Sequence, residues 1–514
     1  MRVKDFSLHL KTKFGVKSYS EGKNDIFTFS ISEQKSGGNV SITGKLTAHT
    51  KIELFWLDVM VPEQLEEISY YANGFQSWSA SPLIDKNNGL KKLAGLPGRI
   101  FRLRNFGDYN FNSMAEKSGS AYSHLYLDLL KNEKTKTFYG DLKPYDSYTT
   151  FAVDYSADVI TVGSDLEGLV MNLGESLEVF NICIVPDSDS WFNLLNVERL
   201  PAEKFTGWTS WYNYYTKITE FILESNMKSL EEADILIDVF QIDDGYFTHV
   251  GDWLEPNDSF PGGMKAIADE IKKYGWTAGL WSAPFVTDSE SEIFKEHCEW
   301  ILKTPDGKMQ IAGWNPNWTG MFYALDIYNE DFREYLKEVY DTTVNEWGYN
   351  FLKLDFLYAA CLQPREGKTR CMVMTDAMDL LLELTKGAKI LACGAPIAPA
   401  IGKCHYCRIG GDISHVWEDK LLKRIHYRER VSTVTSLGNT ESRFFLNGKA
   451  FLNDPDVFIL RDSKEIKMSE KEKDILFDTN ISKAGLVFFS DDISMYEEEK
   501  VNRVKEAFST FHDE

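Results

Sequence analysis

The sequence predicts a multidomain β plus α/β protein: an antiparallel β-sandwich over residues 1–195, then a (β/α)8 TIM barrel over 196–514. Three observations predict this. Alternating and β-branched runs, broken by turn residues, crowd the first part, the pattern of a large antiparallel sandwich. From about Phe205, short apolar runs take turns with amphipathic helical stretches, as strand–helix units do. Polar residues then collect at the ends of those runs, where a barrel places its chemistry.

The sandwich strands are expected at 25–32, 39–48, 51–61, 136–139, 147–153 and 159–162. Turn signals such as Ser36-Gly37-Gly38-Asn39 and Lys86-Asn87-Asn88-Gly89 separate them. One loop is unusual, Asn73-Gly74-Phe75-Gln76-Ser77-Trp78-Ser79, and its residues alone read as a turn with a core Trp. The barrel strands are expected at 205–210, 239–242, 278–281, 351–355, 390–393, 407–409, 444–451 and 486–489. Between them, Met264, Ile267, Ala268, Ile271 and Tyr274 share a helix face that Gly275 ends. Phe332, Tyr335, Leu336, Val339 and Tyr340 repeat that spacing before Gly348. Thr375 is the expected N-cap of a helix running to Leu384. A last helix is expected near 496–511.

Composition narrows the function. A net charge of −22 argues against nucleic acid and anionic membrane surfaces, which need basic patches, and favours a neutral substrate. The first residues, Met-Arg-Val-Lys-Asp-Phe-Ser, carry no apolar core of a secretion signal, and no apolar run reaches membrane-spanning length. The odd count of seven Cys suits reduced thiols in a cytoplasm. Cys404 and Cys407 lack the second pair that a zinc site needs. An aromatic content of 14%, with 13 Trp and 24 Tyr, leans towards sugar binding, because aromatic faces stack on the C–H patches of pyranose rings.

The stretch 348–362, Gly-Tyr-Asn-Phe-Leu-Lys-Leu-Asp-Phe-Leu-Tyr-Ala-Ala-Cys-Leu, concentrates the question. Lys353 and Asp355 interrupt an otherwise buried strand and point to one side of it. They read either as a structural ion pair or as a catalytic carboxylate with a substrate-holding lysine. The other strand ends favour the second reading. They carry Trp208 to Tyr212, Gln241 to Tyr246 with Asp243 and Asp244, Trp281 to Phe285, Cys393-Gly394, and Arg408 to Asp412. Such a rim of hydrogen-bonding groups with aromatic walls fits a polyol ring. Asp355 and Asp412, on the fourth and sixth strands, could flank a scissile glycosidic bond at the roughly 5–5.5 Å of a retaining pair. Lys353 would favour the ionised Asp355, and the two glycines before Asp412 free its backbone. A Mg2+ site built from Asp243, Asp244, Asp355 and Asp412 is the competing reading, weakened by Lys353 and Arg408 as counter-charges.

With these motifs assembled, the sequence resembles the α-galactosidases of glycoside hydrolase family 36, in the melibiase clan, and most closely the compact bacterial, Thermotoga-type members. The stretches that match are 73–78, 207–212, 239–244, 251–253, 279–285, 323–326, 351–357, 392–396, 408–412 and 452–456. The resemblance implies Asp355 as nucleophile and Asp412 as acid/base. It implies that Asp243 and Asp244 hold O4 and O6, Lys353 and Arg408 the hydroxyls towards O3 and O2, and Cys393 the O2 side. Trp281 and Tyr212 would line the pocket, and Trp78 would close it from the sandwich, against the first reading of its loop.

The implied activity is release of terminal non-reducing α-D-galactosyl residues from melibiose- or raffinose-type sugars, with retention. The expected partner is that small-molecule α-galactoside, with no cofactor, no metal, no nucleic acid, no membrane and no specified oligomeric state. Three alternatives stay open: an α-N-acetylgalactosaminidase, a transglycosylase, and a non-catalytic sugar-binding barrel. Relatives carry a small C-terminal β-domain, which is expected to be missing here.

Overall fold

The computed structural model describes residues 3–12, 15–111 and 119–512, so Met1 and Arg2 of the amino-terminal stretch lie outside the described residues. Two antiparallel sheets open the chain. One orders its strands Gly15–Tyr19, Asp5–Thr12, Ile52–Pro62, Val159–Met171, Tyr148–Asp154 and Tyr122–His124. The other runs Phe27–Ser36, Asn39–Ala48, Ser176–Val185, Lys134–Asp141 and Tyr126–Lys131. Buried residues alternate along Asn39–Ala48 and through most of Ile52–Pro62, because successive side chains point to opposite faces. Leu46, Leu54, Phe151, Ile160 and Ile182 thereby meet in the layer between the sheets. The Ser36–Asn39 turn is a two-residue hairpin with φ of 57° at Gly37 and 91° at Gly38, values that glycine adopts without strain. The strands Asp5–Thr12, Tyr126–Lys131 and Ser176–Val185 join those expected from the sequence.

The barrel follows. Its parallel strands are β1 (Phe205–Thr209), β2 (Val239–Ile242), β3 (Thr277–Ser282), β4 (Phe351–Leu354), β5 (Lys389–Ala392), β6 (Tyr406–Arg408), β7 and β8 (Leu486–Phe489). The strand β7 comes in two halves, Leu452–Asp454 and Val457–Phe458. The first half pairs with β6 and the second with β8, so the halves bridge the open edges of the sheet. Gly485 N–H donates to Asn453 O at 2.9 Å across the same seam. Pro455 has no N–H, and Asp456 has a φ of 81°, so regular pairing stops between the halves. Most barrel strands are wholly buried, with apolar residues interrupted by single polar or charged ones, as expected where helices cover a parallel sheet and a site sits at its end.

Two expectations are corrected. Residues 444–451 do not form the seventh strand: Phe444–Leu446 is a 3-10 turn, and β7 begins at Leu452. The apolar run there packs Leu446, Ala450 and Phe451 into the core without extended pairing. The helix Arg370–Leu384 is capped by Thr369, whose Oγ1 accepts from Met372 N–H. Thr375 lies inside that helix and donates to the carbonyl of Cys371. A small antiparallel sheet of Val286–Asp288, Gly320–Ala324 and Ile311–Asn315 is inserted after β3. Among the described residues no helix is long and apolar enough to cross a membrane.

Candidate active site

Each strand-end residue singled out in the sequence lies at or just beyond the C-terminal end of its strand, and nine of them, with Trp78 from the sandwich, gather in hydrogen-bonded and packed groups there. At the end of β4, Asp355 is 7% exposed. Its Oδ2 accepts from Trp281 Nε1 at 3.0 Å and its Oδ1 from Phe356 N–H at 2.8 Å. Phe356 has a φ of 53°, a strained conformation for a bulky residue, costing about 1–3 kcal/mol and held by its surroundings.

The lysine two residues earlier does not pair with Asp355. Lys353 Nζ instead donates to Asp243 Oδ2 at 2.8 Å, reaching across β3 to the end of β2. Sequence spacing put Lys353 beside Asp355 on one face of a strand, but the curl of the barrel turns the ammonium towards a carboxylate two strands away. Asp243 is saturated: Gln241 Nε2 and Thr209 Oγ1 also donate to Oδ2, and Asp244 N–H donates to Oδ1. Asp244 is different. It is 4% exposed, Trp318 Nε1 donates to its Oδ2 at 2.8 Å, and burial pushes its pKa up to about 7 against that hydrogen bond.

Arg408, buried at the end of β6, organises the opposite side. Its Nε donates to Asp454 at 2.8 Å, its Nη2 lies 2.9 Å from Asp456 Oδ1, and its Nη1 donates to Asp412 at 3.2 Å. Tyr212 OH donates to Asp456, and Ile413 N–H donates to the same carboxylate at 2.8 Å. Asp412 remains 36% exposed at its side chain. Loss of solvation raises its pKa, the negative charge of Asp355 adds to the rise, and Arg408 and Lys353 oppose it. Asp456 is pushed up to about 7, also by burial first. Among the described residues, no group of three or more His, Cys, Asp or Glu is arranged to hold a metal ion.

The 73–79 loop enters from the sandwich and is buried throughout. Trp78 Nε1 donates to Cys393 Sγ at 3.3 Å, and the indole packs edge-on to Phe356 at 5.2 Å. Gly394, at a φ of +60°, leaves room for it: a Cβ there would sit 2.9 Å from the indole ring. Arg443 anchors the loop. Fully buried, it donates to Asn73 Oδ1 and to the carbonyls of Gly74, Gln76, Ser77 and Ser79, and also to Ile409 O beside Arg408. Burial lowers its pKa, since these acceptors are neutral oxygens.

Sequence reasoning missed Trp318, Arg443, Asp454 and Asp456. The last two lie within the matching stretch 452–456, which by itself assigns them no role. Trp318 and Arg443 stand on segments with no strand-end signal, and only the chain's return to the barrel mouth brings them in. A cavity of about 640 Å3 opens elsewhere, on the six-stranded sheet between Trp56 and Tyr155, and holds none of the strand-end residues.

The family model that matches is Melibiase, over residues 208–372. Alpha-galactosidase 1 of Pediococcus pentosaceus is 25% identical over 178 residues, covering 32% of this chain and 23% of that protein. An A type blood alpha-D-galactosamine galactosaminidase of Flavonifractor plautii is 25% identical over 167 residues, 30% of this chain and 15% of that protein. The matches therefore span less than a quarter of these relatives' own length. Among solved structures, TtGalA, an alpha-galactosidase from Thermus thermophilus in complex with p-nitrophenyl α-D-galactopyranoside, superposes with a TM-score of 0.75 at 26% identity, covering 93% of this chain and 94% of that one. Residues 208–372 thus match the Melibiase model, and the chain is similar to α-galactosidases in sequence and fold.

Proposed function

We propose that the protein is a retaining glycoside hydrolase that removes terminal, non-reducing α-D-galactosyl residues from oligosaccharides. The observation that carries this is the unlike pair at the barrel mouth. Asp355 accepts two N–H donors at the end of β4, whereas Asp412, near enough to feel its charge, has a raised pKa. Asp355 attacks the anomeric carbon and forms a glycosyl ester as the C–O bond to the leaving group breaks. Asp412 passes its proton to the leaving oxygen. It then takes a proton from water, which attacks the ester and returns Asp355 as a carboxylate. N–H donors suit the nucleophile because they stabilise its charge, and a pKa raised by loss of solvation suits a group that must hold a proton to give.

Around the pair, Lys353 and Asp244 serve the sugar hydroxyls, with Asp243 holding the ammonium in place, and Arg408 and Cys393 serve the O2 side. Trp281, Tyr212 and Trp78 wall the ring. The division of labour gives chemistry to residues 196–514 and closure of the pocket to residues 1–195 through Trp78. The complexes of TtGalA with p-nitrophenyl α-D-galactopyranoside and with stachyose support the substrate class. Seven free thiols support a reducing, cytoplasmic setting.

The Flavonifractor relative favours a second reading, an α-galactosaminide substrate with the same chemistry. The Trp78–Cys393 contact of 3.3 Å supports the unsubstituted sugar, because a bulky C2 group on that side would meet the indole. Turnover of nitrophenyl α-galactoside against its N-acetyl counterpart decides between them. Asp355→Ala should abolish hydrolysis, with azide restoring part of it as a β-galactosyl azide. Full activity in that variant would refute the proposal.

A further inference from the structure

The two neighbouring carboxylates at the end of β2 are not equivalent. Asp243 accepts from Lys353, Gln241, Thr209 and the Asp244 N–H, which engages both its oxygens. An ionised carboxylate offers about four acceptor positions. Asp244 has one of them filled by a side chain, through Trp318 Nε1 at 2.8 Å, and so keeps capacity for a ligand.

Trp318 comes from the inserted sheet, in the turn between Ile311–Asn315 and Gly320–Ala324. That turn is built rather than loose. Asn317 N–H donates to Asn315 Oδ1 at 3.0 Å, and Trp318 N–H to Asn315 O at 3.3 Å. Gly320, at a φ of 102°, completes it. The indole is half-buried, with its centroid 4.9 Å from Phe356 and 6.3 Å from Trp281. Phe356 follows Asp355, and Trp281 donates to Asp355. Trp318 is therefore bracketed by groups that touch one candidate reacting carboxylate, while its own N–H touches another acid of the same mouth.

We propose that Trp318 is a substrate-contacting, specificity-determining residue: its indole walls the sugar pocket beside Asp244, and its N–H fixes the carboxylate that reads a sugar hydroxyl. This rests on the glycosidase reading above. The N–H has an electrostatic consequence as well. Burial already raises Asp244, and the Trp318 hydrogen bond is the largest effect holding it down. An Asp244 that loses this donor keeps its proton to higher pH and gives up an acceptor for a sugar hydroxyl.

The test compares the 514-residue chain with W318F, W318A and, as a control on the same hairpin, W314F. Trp314 packs at a tilt against Phe101, with ring centroids 5.3 Å apart, away from the strand-end residues. The measurements are kcat and KM for nitrophenyl α-D-galactopyranoside from pH 5 to 9, with a thermal unfolding midpoint for each variant. W318F keeps the ring and loses the donor. It should raise KM about tenfold with kcat changed far less, and move the acid limb of kcat/KM up by about one pH unit. W318A should raise KM further, and W314F should leave both unchanged. Wild-type KM and pH profile in W318F and W318A, with the parent active, would overturn the proposal and leave the glycosidase reading standing. Losses in W318F that only track a lowered unfolding midpoint would overturn it too, since they mark a structural role. A parent enzyme inactive on α-galactosides would remove the glycosidase reading and this inference with it.

Discussion

Asp412 shares the Arg408 guanidinium with Asp454 and Asp456. Loss of solvation outweighs the attraction of Arg408 and keeps the Asp412 pKa raised. With its pKa raised, Asp412 holds its proton above the ordinary carboxylate range, so the alkaline limb of kcat/KM should also lie above that range. Asp412→Ala should lower turnover of a galactoside with a poor leaving group by about 10²–10⁴-fold. A dinitrophenyl galactoside, whose leaving group needs no proton, should be spared most of that loss. Steady-state kinetics on the two substrates checks both expectations, and equal losses on both would deny Asp412 its role as the acid.

At the scale of elements, the 73–79 loop depends on Arg443, which satisfies carbonyls that no strand or helix pairs. The same side chain holds Ile409 O, one residue past Arg408. One cation thus ties the loop bearing Trp78 to the segment leading to Asp412. Arg443→Lys keeps the charge but loses the fork, leaving buried carbonyls unpaired at about 1–3 kcal/mol each. The expected result is a lower unfolding midpoint together with a raised KM, measured by calorimetry and kinetics. Gly394→Ala should act on the same contact from the other side. Its added Cβ would sit 2.9 Å from the Trp78 ring at a backbone angle that favours glycine. We expect a loss of about 1–3 kcal/mol in stability and a weakened substrate KM, read by denaturant unfolding and initial rates.

For the whole molecule, pH dependence of stability gives a check remote from the candidate site. Asp141, at the end of a sandwich strand, is 2% exposed, and burial pushes its pKa up to about 7. A carboxyl whose folded pKa exceeds its unfolded value near 3.9 contributes stability that is complete below about pH 4 and lost as pH rises through 7. The full difference is at most about 4 kcal/mol. Asp141→Asn removes the titration, so its stability relative to the parent should improve as pH rises from 4 to 8. Denaturant midpoints across that range test it, and parallel curves for parent and variant would contradict it.

The sandwich and barrel were legible in the sequence because both rest on local period: alternation such as that of 39–48, and buried runs such as 351–354 between helices. Asp355 was legible for a related reason, since a charge in a buried run asks for an explanation. Three things were decided only by the tertiary structure. The strand β7 is split at Pro455-Asp456, and no apolar period marks a strand that changes neighbours halfway. The partner of Lys353 is Asp243, 110 residues away, because strand neighbours in a barrel are set by closure and not by spacing along the chain. Trp318 and Arg443 meet the mouth from a hairpin and from the end of a helix, in segments with no local mark of that role. Periodicity records which face of an element is buried; which residues meet across the molecule is fixed only when the elements pack together.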